Sequence, residues 1–351
     1  IDSTPDGPLD GAPADVDPDD LEIQAIAPSE LLEGAGSAGS RPVVVQLDGH
    51  DMLPDASITA EIVVPGDDAA AGVPLVVADV AISPNGFLAA FTVEVPVRPA
   101  LGAGDTETVR ITVTQGSGDE IRASSSIALI GLDELAPGAG TIDLDTTPLA
   151  TLYSQATFDG AIRFTGAAPA LIRVTSNITV NATVNVDGDG QSPGASGCAG
   201  GGEAVQGGCG DGGGGGGGTT AGGGGGGGFG TTGFAATGGS GGTTGEEMLL
   251  DLTTDPGAEG NRGNGGGGGG SDTLGNGGAG GGGGGVLELS AGGTITVGGG
   301  GALRARGGDG AVGDVLGGGD GGGGAGGALL VRSGGGITAG AGWLSAPGGT
   351  G

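Results

Sequence analysis

Between Leu21 and Asp133 apolar residues recur at every second position in short runs, and each run is closed by proline, glycine or aspartate. Period-two alternation broken by turn residues predicts β-strands joined by tight connections. Strands are expected at Leu21–Ala27, Pro42–Leu47, Ser57–Val64, Leu75–Ile82, Phe87–Val95, Glu107–Thr114 and Ile121–Ile130. Such a density of short strands is the rhythm of an antiparallel sandwich. Residues 134–150 are rich in Pro, Gly and Asp and read as a linker. Strand-like runs then resume at Ala161–Phe164 and Leu171–Val186.

Three segments of the second half align with one another: Ala170–Gly190, Val286–Gly310 and Ala328–Gly351. Each reads strand, glycine turn, strand, short turn, strand, and then a glycine-rich excursion. Recurrence of this kind is the signature of stacked rungs, with insertions of unequal length at one corner.

The insertions contain uninterrupted glycine at Gly212–Gly218, Gly222–Gly228, Gly265–Gly270 and Gly280–Gly285. Ordering glycine costs on the order of 1–2 kcal/mol per residue with no side chain to bury, which by itself points to disorder. The alternative is a bundle of polyglycine helices of the polyproline-II type, three residues per turn, which pack closely only because Cβ atoms are absent. The purity of the runs and their apolar borders at Phe229, Phe234 and Val286 favour the ordered form over a Gly/Ser linker. Collagen is excluded, since no Gly-X-Y period is sustained.

Leu21-Glu-Ile-Gln-Ala-Ile-Ala-Pro, the glycine at Gly34 and Arg41-Pro-Val-Val-Val-Gln-Leu-Asp-Gly resemble the opening strands of IPT/TIG-type immunoglobulin-like domains; Phe91-Thr-Val-Glu-Val-Pro and Val109-Arg-Ile-Thr-Val-Thr resemble the last ones. The resemblance covers about a third of the chain and implies a spacer or presentation module without a catalytic site. The glycine-rich half resembles glycine-rich surface proteins of myxobacteria and their relatives. It also looks like tail-tip adhesins of contractile phages, in which polyglycine helices present receptor-binding loops.

Composition narrows the function classes. The 351 residues include 94 Gly, 41 acidic and 10 basic residues, for a formal net charge of −31. That charge repels nucleic-acid phosphates and anionic membrane surfaces, and leaves Ca²⁺ as the one ionic partner it favours. No run approaches the roughly 20 apolar residues needed to span a bilayer, so direct membrane insertion is not expected. Residues 1–20 combine Asp, Pro and Gly and read as a solvated tether, and the chain reads as a processed product. Cys198 and Cys209 are either a disulfide closing a short loop in an oxidising compartment or two unpaired thiols.

Chemistry-bearing residues are few. One histidine, two cysteines and one tyrosine leave little for a hydrolytic constellation. His50 follows a strand and reads as a surface turn residue. Asp187, Asp189 and Asp309, in Asp-Gly-Asp-Gly and Gly-Asp-Gly, are candidate Ca²⁺ ligands at rung corners, although the nonapeptide Ca²⁺ repeat is absent. Phe229, Phe234 and Trp343 are either exposed contact aromatics or core plugs. The glycine runs lack the Lys-Ser/Thr and helix of a phosphate loop.

The expectation is therefore an all-β chain: an acidic tether (1–20), an immunoglobulin-like sandwich (21–133), a linker (134–150) and a β-solenoid-like domain with polyglycine-II helices (151–351). The expected role is non-enzymatic and needs no cofactor: a structural or adhesive protein of a bacterial cell surface, which self-associates, as in a filament, or contacts a neighbouring surface protein or glycan. A receptor- or glycan-binding adhesin is the alternative.

Overall fold

In a computed structural model the described residues are 21–34, 43–63, 72–98, 101–116, 121–147, 149, 152–203, 205–207, 223–227, 235, 276–315 and 318–351. Every regular element among them is a β-strand, and the chain divides into two units, 1–133 and 134–351.

The first unit contains β1 (Glu22–Ala27), β2 (Glu30–Leu32), β3 (Val43–His50), β4 (Ser57–Val63), β5 (Val73–Ile82), β6 (Leu88–Glu94), β7 (Thr106–Gln115) and β8 (Ile121–Ile130). They hydrogen-bond in the order β1-β3-β6-β5-β4-β7-β8-β2. β5 is the bridge in this order: Val73–Leu75 pair with β4, and Val76–Ile82 pair with β6. All pairings are antiparallel except β2 on β8. The alternation read from sequence places Val45 and Leu47 of β3, Phe91 and Val93 of β6, and Val109, Ile111 and Val113 of β7 in one buried cluster. Burying such side chains contributes roughly 1.5–3 kcal/mol each.

Three differences from the sequence expectation appear here. β3 runs on to His50, because β1 pairs along its whole length and sets Glu22 opposite His50. His50 therefore ends a strand and is not a turn residue. The short β2 was not anticipated; it follows Pro28 and leaves only Leu31 to mark its buried face. Glu33, just after it, is a buried carboxylate that accepts hydrogen bonds from the backbone N–H of Leu132 (3.0 Å) and of Arg98.

The second unit winds through three parallel sheets in turn. Its strands are β9 (Thr141–Asp145), β10 (Ala156–Phe158), β11 (Ala161–Thr165), β12 (Ala170–Val174), β13 (Ile178–Val180), β14 (Thr183–Asn185), β15 (Val286–Ala291), β16 (Thr294–Val297), β17 (Ala302–Arg304), β18 (Ala328–Ser333), β19 (Gly336–Thr338) and β20 (Leu344–Ser345). One sheet is β10-β13-β16-β19, the second β9-β11-β14-β17-β20 and the third β12-β15-β18. Each winding adds one strand to each sheet in the same order, and equivalent residues stack without shift: Ile178 on Ile295 on Ile337, Val184 on Leu303 on Leu344, Ile172 on Leu289 on Val331. Phe158 and Phe164 meet edge to face inside, with ring centroids 6.4 Å apart.

The three repeats aligned from sequence are the windings β12-β13-β14, β15-β16-β17 and β18-β19-β20. Residues 134–150, expected as a linker, instead belong to this unit: β9 pairs in register with β11 from Thr141↔Ala161 to Asp145↔Thr165. Ile142 and Leu144 supplied the alternation there, masked by the turn residues around them. The excursions all leave after a strand of the second sheet and return to the third, at one corner of the winding.

Candidate functional site

At that corner the glycine segments form a lattice held chiefly by backbone hydrogen bonds. Gly278, Gly281 and Gly284 donate to the carbonyls of Gly319, Gly322 and Ala325 at 2.8–2.9 Å. On another side of the same segment, Gly280 and Gly283 donate to Gly201 and Cys198, both at 2.8 Å. The carbonyls of Gly282, Ala279 and Asn276 in turn accept from Gly308, Ala311 and Asp314 at 2.7–2.9 Å. Segment 318–327 repeats the pattern, with Gly321, Gly324 and Gly327 donating to Ala311, Gly308 and Ala305.

Each series advances by three residues. A chain with three residues per turn directs every third N–H at the same neighbour, whereas a β-ladder would advance by two. The first series runs parallel and the other three run antiparallel, so one segment accommodates neighbours of either direction. With neighbours on several sides, the backbone groups of a segment without side chains are satisfied inside the lattice.

Glycine is required by close approach. A Cβ on Gly281 would stand 2.0 Å from the carbonyl oxygen of Gly308, one on Gly310 2.0 Å from that of Gly321, and one on Gly327 1.9 Å from that of Gly285. Asp309, Ala311 and Asp320 face outward from these segments, and the side chains that turn inward, Ala305 and Ala325, are as small as a side chain can be. Of the four glycine runs singled out in the sequence, Gly280–Gly285 and residues 223–227 are seen in this arrangement; Gly224 and Gly227 donate to Asp320 and Gly323. Gly212–Gly218 and Gly265–Gly270 lie outside the described residues.

The candidate Ca²⁺ carboxylates are turned to arginines and to backbone. Asp187 accepts from the backbone N–H of Arg306 (2.7 Å) and pairs with the Arg304 guanidinium (3.1 Å). Asp189 meets Arg163 at 3.3 Å. A single oxygen of Asp309 accepts from the Thr350 N–H (2.7 Å), its hydroxyl (2.8 Å) and Arg306 (2.6 Å). The Thr350 bonds hold the Asp309 carboxyl below its ordinary pKa, with Arg306 adding to the effect. Among the described residues no group of three or more His, Cys, Asp or Glu side chains is placed to hold a metal ion. Sequence spacing brought these aspartates to the corner, but the arginines one winding away were invisible to it.

Glu288 was not singled out from sequence. It is fully buried on β15, between Arg173 of β12 (3.0 and 3.1 Å) and Arg332 of β18 (2.5 Å). Burial pushes its carboxyl up, and the two guanidiniums outweigh that and leave it below the usual range. The available signal was a lone acid in the apolar run Val286-Leu-Glu-Leu; the flanking repeats carry leucine opposite it and arginine two positions further on, opposite Ser290.

His50 bridges two carboxylates, with Nδ1 2.8 Å from Asp51 and Nε2 2.8 Å from Glu22. The hydrogen bond to Asp51, followed by that to Glu22, raises its pKa above the ordinary value. Cys198 is buried beside the lattice, while Cys209, Phe229 and Phe234 lie outside the described residues. Trp343 is half-buried, packs against the core of the second unit and accepts from the Leu303 N–H through its carbonyl (2.7 Å). The outer turns of the lattice carry exposed valines: Val312 is 81% exposed and Val315 99%.

A scan against protein-family models finds no match, and no curated protein matches the chain. Among solved structures, the chain is similar to the TIG domain from human nuclear factor of activated T-cells, cytoplasmic 4, at 16% identity and a TM-score of 0.23, over 32% of this chain and 88% of that one.

Proposed function

We propose that the chain is a non-enzymatic structural and adhesive protein of an extracellular surface. In this reading an immunoglobulin-like sandwich, with β5 passing between its two sheets, precedes a β-solenoid whose corner insertions form a polyglycine-II bundle. The observation that carries it is the three-residue period of backbone hydrogen bonds across successive glycine segments. A lattice of that kind spends its backbone polar groups on itself, and in this reading its product is a body that holds surface turns in place.

Three further features support the reading. The acidic charge suits an exposed, solvated surface. A disulfide between Cys198 and Cys209 would pin the first excursion, and it implies an oxidising compartment; intact mass under non-reducing and reducing conditions, differing by two hydrogens, tests it. The edges of stacked strands provide a route to self-association by strand addition.

The test is sedimentation of the purified chain together with a whole-cell binding assay. Self-association or saturable cell binding is expected, and a chain that does neither would remove the proposal. The exposed Val312 and Val315 favour a second reading, in which the lattice presents its turns to a receptor or glycan. That reading requires binding on cells or a glycan array that is lost when residues 210–245 are deleted and weakened by Val312→Ser with Val315→Ser.

A further inference from the structure

On the sheet β10-β13-β16-β19 the residues that alternate with the core positions form columns of their own on the outer face. Ala156, Ile178 and Ile295 are buried on the inner side, as are Phe158, Val180 and Val297. Between them stand Thr157, Thr179, Thr296 and Thr338, paired in register through all four strands. None of these threonines is buried. Neighbouring strands lie about 4.7–4.9 Å apart, so one threonine follows another at that interval along the winding axis. Branching at Cβ restricts χ1, which fixes where each hydroxyl and each methyl group stands.

Two residues before each threonine lie Gln155, Asn177, Thr294 and Gly336. This column is tied crosswise: Asn177 Oδ1 accepts from the backbone N–H of Thr294 (2.7 Å) and from its hydroxyl (3.0 Å). No position in either column is charged, in a chain with 41 acidic residues and a net charge of −31. No aromatic ring faces outward from these strands either, since Phe158 is buried inside.

We propose that this face binds ice. A ligand that matches it is uncharged, repeats at the strand interval along the winding axis and offers a hydrogen-bonding partner at each step. The oxygen atoms along the a axis of hexagonal ice repeat at close to the strand interval. A sugar polymer is ordinarily met by an aromatic platform, which the face lacks. Water held over the methyl groups and bonded to hydroxyls at this interval already carries part of the order of an ice plane, so less ordering remains on contact. Charge agrees with the assignment: carboxylates and guanidiniums keep hydration shells that are costly to strip, and both columns exclude them. The inference rests on the adhesive reading above and names the surface adhered to; it needs neither self-association nor a cell receptor.

The test is ice-affinity partition of the full chain. Ice is grown slowly into a dilute solution, the protein captured in it is measured, and the shape of ice crystals is followed alongside. Capture above that of an inert acidic protein of similar size is expected, together with faceted crystals. Thr179→Arg with Thr296→Arg places guanidiniums in the middle of the column and should lower the captured fraction at least about tenfold. Thr141→Arg with Thr183→Arg, the same change on the β9-β11-β14-β17-β20 sheet, should leave it unchanged. Thr296→Arg alone, at an exposed position, should act in the same direction and serves if the pair disturbs folding as read by circular dichroism. Exclusion of the unmodified chain from ice overturns the proposal and leaves the adhesive reading to the cell and glycan assays. Capture that survives the Thr179/Thr296 change, or that falls equally with the Thr141/Thr183 change, overturns this face. Retention on crystalline cellulose or chitin without capture in ice overturns the assignment to ice in favour of a polysaccharide.

Discussion

At the scale of single residues, the sharpest constraint is the space where a Cβ would be. Gly281→Ala forces the backbone of 281 and 308 apart, and overpacking of this kind costs about 1–3 kcal/mol. Gly299→Ala, at a turn where a Cβ would meet nothing within 4 Å, is expected to be close to neutral. Chemical denaturation of both variants checks the contrast. Glu288→Gln removes the buried charge that Arg173 and Arg332 share; both guanidiniums keep access to water, so a loss of about 1–2 kcal/mol is expected. His50 gives a pH dependence of defined sign. Its folded pKa is raised, so its contribution is complete below the unfolded value of about 6.5 and is lost as pH rises through the folded value. Denaturant midpoints of the first unit should therefore fall on the alkaline side, and His50→Gln should flatten that slope.

At the scale of elements, strand pairing and the glycine lattice depend on each other. β14 ends at Asn185 and the next strand of the winding, β15, begins at Val286, so the third winding closes only after the first excursion has gone out and come back. Segment 276–285 returns the chain to β15 through bonds to segments on several sides. The last segment of the lattice is fastened by Asp309 on Thr350. Because the Asp309 pKa is depressed, this fastening is present above the unfolded value of about 4 and is lost as pH falls through the lower folded value. Protection of residues 346–351 against hydrogen exchange, taken relative to the intrinsic rate at each pH, should fall in acid before that of the core strands, and Asp309→Asn should lower it already at neutral pH.

At the scale of the whole molecule, the two units have separate cores and no described strand pairing joins them. Each is expected to fold when expressed alone, as residues 21–133 and 134–351, with its own cooperative transition. Parallel pairing across long sequence separation makes the second unit the slower of the two. Stopped-flow refolding should show a fast phase from the first unit and a slower one from the second; a single shared phase would contradict separate folding.

Much of this was legible in the sequence. Alternation places the seven expected strands of the first unit within a few residues of those observed, because each has a buried face and period two marks that face directly. The three-strand repeats were likewise readable, since stacked windings place like residues in columns, as with Ile178, Ile295 and Ile337. The purity of the glycine runs also carried information, because only residues without Cβ permit the approach that the lattice makes. What the sequence could not determine was partnership across distance. Glu288 finds Arg173 from 115 residues away, and the aspartates read as cation ligands find arginines instead, because three parallel sheets bring windings into register. The length of β3 was decided by β1, and the membership of 134–150 by β11, since a strand's extent is set by the neighbour that completes its hydrogen bonds.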